Sequence, residues 1–272
     1  MKSIISKIKQ ALPYFFHVSW GILKSLVRPK EFCIRWGDPY TIKKGLLTYN
    51  QDGLATVHNS DFLKEPLFQE AYRLGKETGS WNWGKEEIQW RVHVACWAAT
   101  VAKNLEGDFI ECGVNLGGMP RAIIHYIDFN ETNKKFYLLD TFSGMPEKLI
   151  SEEEKKHCIH HYVNKYGNTL DQVKNIFKDF NVKIIPGMVP DTLPLVDTQK
   201  ISFLSLDMNC TEPEIAAAEY FWEKLVTGAM VLLDDYGWKF HITQKKAFDD
   251  FAKKRKVAIL SLPTGQGIII KP

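Results

Sequence analysis

Gly107-Asp-Phe-Ile-Glu-Cys-Gly-Val-Asn-Leu-Gly-Gly118 is the run on which the fold turns. Phe109 and Ile110 predict the end of a short buried strand, and Glu111 sets an acid at its carboxyl end. Gly113, Gly117 and Gly118 let the backbone turn tightly. After Pro120, which breaks the loop, Arg121-Ala-Ile-Ile-His-Tyr-Ile127 repeats apolar residues at helical spacing. Strand, glycine turn and helix predict the first unit of a doubly wound sheet, in which ligands sit beyond the strand ends. The turn is not a dinucleotide fingerprint, because Glu111 stands where that pattern needs a glycine for close approach to a pyrophosphate. An acid there repels phosphate and attracts an ammonium group. A ligand with an amino-acid end and no pyrophosphate fits better; the alternative is an ordinary strand-to-helix turn with a solvated glutamate.

Outward from this run the chain alternates. Lys135–Asp140, Val182–Pro186, Ile201–Leu206 and Ala229–Leu233 predict further strands. Leu170–Phe180, Pro213–Leu225 (ending near Gly228) and Gln244–Lys256 predict helices between and after them. Val257–Leu262 and Gly267–Lys271 predict a closing hairpin around Pro263-Thr-Gly-Gln-Gly267. Alternating strands and helices imply an α/β fold: a Rossmann-like, mostly parallel sheet with an antiparallel C-terminal strand and helices on both faces. Upstream, Phe62–Glu77 and Glu86–Leu105 read as helices, the second with Ile88, Val92, Cys96 and Ala99 on one stripe flanked by Trp90 and Trp97. Trp81-Asn-Trp83-Gly84 separates them, and Ser151-Glu-Glu-Glu-Lys-Lys156 reads as a solvated helix start. The expected organisation is a helical N-terminal extension over residues 1–60 and one sheet domain, with its covering helices, over 61–272.

At 272 residues, with 45% hydrophobic and 25% charged residues, the composition is that of an ordinary globular protein. A net charge of +3 gives no argument for nucleic acid or an acidic polymer as partner. The five scattered cysteines (Cys33, Cys96, Cys112, Cys158, Cys210) have no paired metal spacing, which points to a reducing, cytoplasmic setting. Met1–Val27 is interrupted by Pro13, His17 and Lys24 and lacks a small-residue cleavage site, so neither a spanning helix nor a signal peptide is expected. Ile4, Ile8, Leu12 and Phe15 follow helical spacing. That face is expected to pack on the protein or on a second subunit of a homo-oligomer, with peripheral membrane contact as the minor alternative.

Acids recur at the carboxyl ends of successive strands: Glu111, Asp140, Asp207, Asp234 and Asp235. Asp140 follows the second strand, the usual place for a carboxylate that accepts ribose hydroxyls, and Asp140-Thr-Phe-Ser-Gly144 would wrap the nucleoside. A helix cap is the competing role for Asp140. Met188, after Gly187, is placed either against an adenine face or in plain packing. Asp207, Asp234 and Asp235 would repel one another unless something positive lies between them, and a hard divalent ion such as Mg²⁺ meets that need. It would hold a substrate hydroxyl and lower its pKa; a cap plus a solvated neighbour is the alternative.

Taken together and in order, Glu111-Cys-Gly-Val114, Asp140-Thr-Phe-Ser-Gly144, Gly187 with Asp191-Thr-Leu-Pro194, Leu206-Asp207 and Asp234-Asp-Tyr-Gly237 resemble the macrocin O-methyltransferase (TylF/MycF/NovP) family. The resemblance covers about Phe68 to the C-terminus. It implies a class I methyltransferase that uses S-adenosylmethionine and Mg²⁺ to methylate hydroxyls of sugars or phenols, with a small-molecule or glycan acceptor. It implies that Glu111, Cys112, Gly113, Val114, Gly117, Asp140, Thr141, Phe142, Ser143 and Gly144 hold the methyl donor, and that Asp207, Asp234 and Asp235 ligate the metal. Where the family usually carries a second acid two residues after the first ligand, this chain has Asn209, which orients a hydroxyl but takes no proton. The proton then falls to Asp207 as ligand and base together, to His241 on the following loop, or to water. Two rivals follow: a donor-binding protein that has lost catalysis, and a metal-dependent hydrolase using the same acids.

Overall fold

The computed structural model describes residues 47–81, 87–156 and 167–272 of the chain. The amphipathic stretch at the N-terminus lies outside the described residues, as do Cys33, Trp83 and Cys158. The chain divides into two units, Met1–Asp61 and Phe62–Pro272. In the first, the described part holds an antiparallel hairpin of β1 (Tyr49–Gln51) and β2 (Leu54–Thr56).

The second unit is a seven-stranded sheet with helices on both faces. Its strands are β3 (Asp108–Cys112), β4 (Phe136–Asp140), β5 (Val182–Pro186), β6 (Ile201–Leu206), β7 (Leu225–Leu233), β8 (Leu260–Ser261) and β9 (Gly267–Ile270). They lie in the order β5-β4-β3-β6-β7-β9-β8. β3 to β7 are parallel, and the terminal hairpin adds β9 antiparallel to β7. The chain builds outward from β3 through β4 to β5, then returns to the other side of β3 for β6 and β7. The reversal falls between β3 and β6, where the crevice of such a sheet opens.

Period-two alternation sorts the strand residues between two cores. Phe109, Phe136, Leu138, Phe203, Met230 and Leu232 face α1 (Pro66–Glu77), α2 (Gln89–Ala102) and α3 (Gly118–Tyr126). Ile110, Cys112, Tyr137, Leu139, Leu204, Leu206, Val231 and Leu233 face α6 (Thr211–Phe221) and α7 (Ile242–Arg255). Two short helices, α4 (Glu152–Lys156) and α5 (Leu170–Phe177), lie between β4 and β5. Buried phenylalanines tie the first core together, with Phe109 edge-on to Phe136 at 5.6 Å and tilted against Phe203 at 5.0 Å. Such pairs contribute about 0.5–1.5 kcal/mol each beyond their area.

α1 starts on Pro66 at its first position, where the missing N–H costs nothing. In α2 the expected stripe of Ile88, Val92, Cys96 and Ala99 is buried, and Ala95, Ala98 and Ala102 join it. The small side chains let α2 pack on both α3 and β7. Trp97 stays 47% exposed, while Trp81 stacks on Tyr72 at 5.2 Å.

Several boundaries differ from expectation. α3 begins at Gly118, so Pro120 sits inside its first turn instead of in the loop. The helix expected to run to Leu225 ends at Phe221. β7 then starts at Leu225 and runs through Gly228, where its register against β6 shifts. Glu154 of the charge run is buried. Its carboxylate accepts Thr211 N and Oγ1 at 2.8 and 2.7 Å and Ser151 N and Oγ at 2.8 and 2.7 Å. It therefore anchors the start of α6, correcting the expectation of a solvated face. Among the described residues no helix is long and apolar enough to cross a membrane.

Candidate active site

The strand ends are stitched side by side by backbone hydrogen bonds. Gly113 N donates to Leu139 O (2.9 Å), Asp207 N to Cys112 O (2.9 Å), Asp234 N to Leu206 O (3.0 Å) and Gly187 N to Asp140 O (2.9 Å). The loops that carry the predicted acids therefore leave the sheet together, at the reversal between β3 and β6.

Gly113 is fixed by this crowding. Its φ is +92°, and a Cβ there would lie 1.9 Å from Asp207 O, so only glycine lets the β3 and β6 ends approach. Glu111, two residues earlier, points to the α1–α3 side and is buried, and its Oε2 has no hydrogen-bond partner. Burial first, then the charges of Asp234 and Asp140, push its carboxyl well above the ordinary glutamate range. Asn115, at φ 52°, also buries an Oδ1 without a partner. A positively charged group with N–H donors would satisfy such an oxygen and relieve the repulsion among the acids. The amino end of S-adenosylmethionine has that chemistry, so the residues fit a methyl donor.

Asp140 holds two loops of the crevice together. One oxygen accepts Val114 N and Asn115 N at 2.6 and 2.8 Å; the other accepts Phe142 N at 2.6 Å. It clasps the glycine turn to its own loop. Thr141 Oγ1 donates to Gly144 O at 2.7 Å, and Ser143 is exposed. Phe142 takes φ 53° and is buried in the α1–α3 core, while the Cys112 thiol lies in the opposite core, where burial pushes its pKa up. Both contribute backbone, not side chain, to the crevice wall. Met188 is partly buried and packs against the cluster of Leu149, Ile150 and Cys210.

The three aspartates come to the same end of the sheet but do not close on one point. Successive residues at a strand end face opposite sides, and the partners of Asp234 and Asp235 follow that rule. Asp234 takes the guanidinium of Arg91, from α2, at 2.5 Å on one oxygen and Gln266 Nε2 at 2.9 Å on the other. Asp235 lies on the α6–α7 side, 3.8 Å from His241 Nδ1. Asp207 is pushed well above the ordinary aspartate range by burial, then by Asp234 and Asp235. Asn209, at φ 56°, donates Nδ2 to Asp207 Oδ1 at 3.3 Å. Among the described residues no group of three or more His, Cys, Asp or Glu side chains is arranged to hold a metal ion. With Asp234 engaged on both oxygens, the aspartates as placed do not fit a three-carboxylate Mg²⁺ site, and the cation that Asp234 holds is a guanidinium.

His241, expected on a loop, is buried at the start of α7 and is held by Gln244 as well as facing Asp235. Two participants escaped the sequence. Arg91 lies 143 residues before Asp234, and nothing local marks it. Glu214, in the first turn of α6, is buried and accepts Met208 N at 2.8 Å. Burial and then Asp235 push its carboxyl up to about 8. The one signal for it was an acid in the first turn of a helix that follows an acid-ended strand.

A family model described as macrocin-O-methyltransferase (TylF) matches residues 84–260. The 8-demethyl-8-(2,3-dimethoxy-alpha-L-rhamnosyl)-tetracenomycin-C 4'-O-methyltransferase of Streptomyces olivaceus is 28% identical over 151 residues, 52% of this chain and 57% of that protein. The demethyldecarbamoylnovobiocin O-methyltransferase of Streptomyces niveus is 24% identical over 153 residues, with the same shares covered. The chain thus spans a little over half the length of these curated relatives. Among solved structures, the O-methyltransferase NovP superposes with a TM-score of 0.61 at 20% identity, over 75% of this chain and 88% of that one. The calicheamicin methyltransferase CalS11 gives 0.57 at 16% identity, over 79% and 94%. At these identities the likeness of the structures is one of fold.

Proposed function

This chain belongs to the macrocin-O-methyltransferase family, and from that premise we propose that it transfers a methyl group from S-adenosylmethionine to a hydroxyl of a sugar or related small molecule. The observation that carries the proposal is Glu111, a buried carboxylate with one unpartnered oxygen at the reversal of the sheet. The names of the two relatives, O-methyltransferases of a rhamnosyl-bearing compound and of a novobiocin precursor, support the acceptor class.

When bound, S-adenosylmethionine supplies an electrophilic methyl carbon on a sulfonium. Glu111 and Asn115 take the amino end, and the backbone of Cys112–Gly117 and Thr141–Gly144 forms the wall along the rest of the donor. Asp140 acts by holding those two loops in register. Asp207, its basicity raised by burial and by its acidic neighbours, takes the hydroxyl proton; Asn209 orients the hydroxyl beside it. His241, held by Gln244, faces Asp235. Most of the acceleration comes from holding oxygen, carbon and sulfur in line. The family resemblance implies Mg²⁺, but Asp234 already has both oxygens engaged, by Arg91 and Gln266. The buried free thiols of Cys96, Cys112 and Cys210 support a reducing, cytoplasmic setting.

Calorimetric titration with S-adenosylmethionine, with and without Mg²⁺, followed by transfer of a labelled methyl group to hydroxylated glycosides, tests the proposal. Donor binding with transfer is expected. Asn209 in place of a second acid favours one competing reading, a donor-binding protein without turnover; binding with no transfer to any acceptor would establish it. Absence of donor binding would leave the hydrolase.

A further inference from the structure

Arg91 is held as if in a clamp. Its guanidinium contacts Asp234 at 2.5 Å and lies over the Trp238 ring at 4.9 Å, so the loop after β7 supplies both a carboxylate and an aromatic face to the same cation. Arginine and aspartate side chains are only 7% and 8% exposed. A guanidinium stays charged at any physiological pH and fits a carboxylate and a ring at once, so this is a permanent positive charge built into the acid cluster. The other oxygen of Asp234 accepts from Gln266, itself buried. A magnesium ion demands near-octahedral oxygen ligands at short range. It cannot share Asp234 with a guanidinium seated on it without strong repulsion.

We propose that Arg91 is the resident counter-cation of Asp234, its charge also felt by Asp207, and that a divalent ion reaches Asp234 only by displacing it. Because Arg91 stands in the first turn of α2, metal loading is thereby coupled to the seating of that helix against the end of β7. Arg91 acts as a positioning residue: it sets which cation the carboxylates hold. The inference rests on the methyltransferase reading only in taking these three aspartates as the implied metal ligands.

The test is Mn²⁺ affinity, followed by electron paramagnetic resonance on the full-length protein, with S-adenosylmethionine binding measured on the same samples. Arg91→Met is expected to bind Mn²⁺ at least tenfold more tightly than the wild type, and Arg91→Lys, which keeps the charge but loses the fork, to fall between them. Equal or weaker binding by folded Arg91→Met overturns the inference alone and leaves the methyltransferase reading standing. No Mn²⁺ binding by any of the proteins while the donor still binds removes both the inference and the metal. Should Arg91→Met fail to fold, the wild type decides. Saturating Mg²⁺ is expected to change tryptophan emission as the guanidinium leaves the Trp238 ring, and Trp238→Phe to abolish that change. A signal that persists in Trp238→Phe, or no signal from wild type that binds Mg²⁺, overturns the displacement.

Discussion

Glu111 concentrates the tension between stability and function. A buried acid with an unpartnered oxygen destabilises the ligand-free protein. Glu111→Gln is therefore expected to raise the thermal midpoint of the free protein by roughly 2–4 °C. The same change is expected to weaken S-adenosylmethionine binding at least ~30-fold, about 2 kcal/mol for a lost charge-assisted hydrogen bond. Scanning calorimetry and titration of one preparation check both. Glu214 gives a pH signature. Its carboxyl titrates at about 8 in the folded protein against 4.5 ordinarily, so between those values the folded state holds a proton that the unfolded state has lost. Stability then falls as pH rises through that window, by at most about 1.4 kcal/mol per pH unit from this group. Glu214→Gln keeps the acceptor for Met208 N and is expected to flatten that slope, gaining on the wild type in urea midpoint at pH 8 and not at pH 5. Glu111 was legible in the sequence because an acid replaces a glycine at a fixed place in a turn. Glu214 was not, since burial of an acid is decided by helices far along the chain.

Among the elements, the glycine turn is the least forgiving. Gly113→Ala puts a methyl group on the Asp207 carbonyl in a backbone conformation that L residues avoid, and is expected to cost about 3 kcal/mol or more. Urea denaturation measures it. Glu154→Ala removes the carboxylate that accepts from Thr211 at the head of α6 and is expected to cost about 1–2 kcal/mol. The short charge run Glu152–Lys156 shows why that role was hidden: three adjacent glutamates look alike until the fold chooses which one turns inward. The parallel strands were legible because both faces of each are covered, leaving short, continuous apolar runs. The start of β7 was not. Gly228 looks like the end of a turn, but the strand passes through it in a bulge against β6, and a glycine signals either. The acids at the strand ends were likewise visible, whereas their convergence was not. Asp234 and Asp235 are adjacent in sequence yet belong to opposite faces, Asp234 meeting Arg91 from α2 and Asp235 facing His241 at the start of α7.

For the whole molecule, ligand binding and folding are one equilibrium. S-Adenosylmethionine at a hundredfold excess over its dissociation constant stabilises by about 2.7 kcal/mol, a rise of roughly 5–10 °C in the thermal midpoint for a domain of this size. Glu111→Gln is expected to lose most of that rise at the same concentration. The two rims of the sheet carry a consequence of their own. β5 ends in Pro186, which has no N–H to offer, and β8 on the far side is two residues long. Neither presents the flat ribbon of free amides and carbonyls along which another chain would zip. Among the described residues, then, neither rim of the seven-stranded sheet offers a long main-chain template to a neighbour in concentrated solution, and association along this sheet falls to side chains.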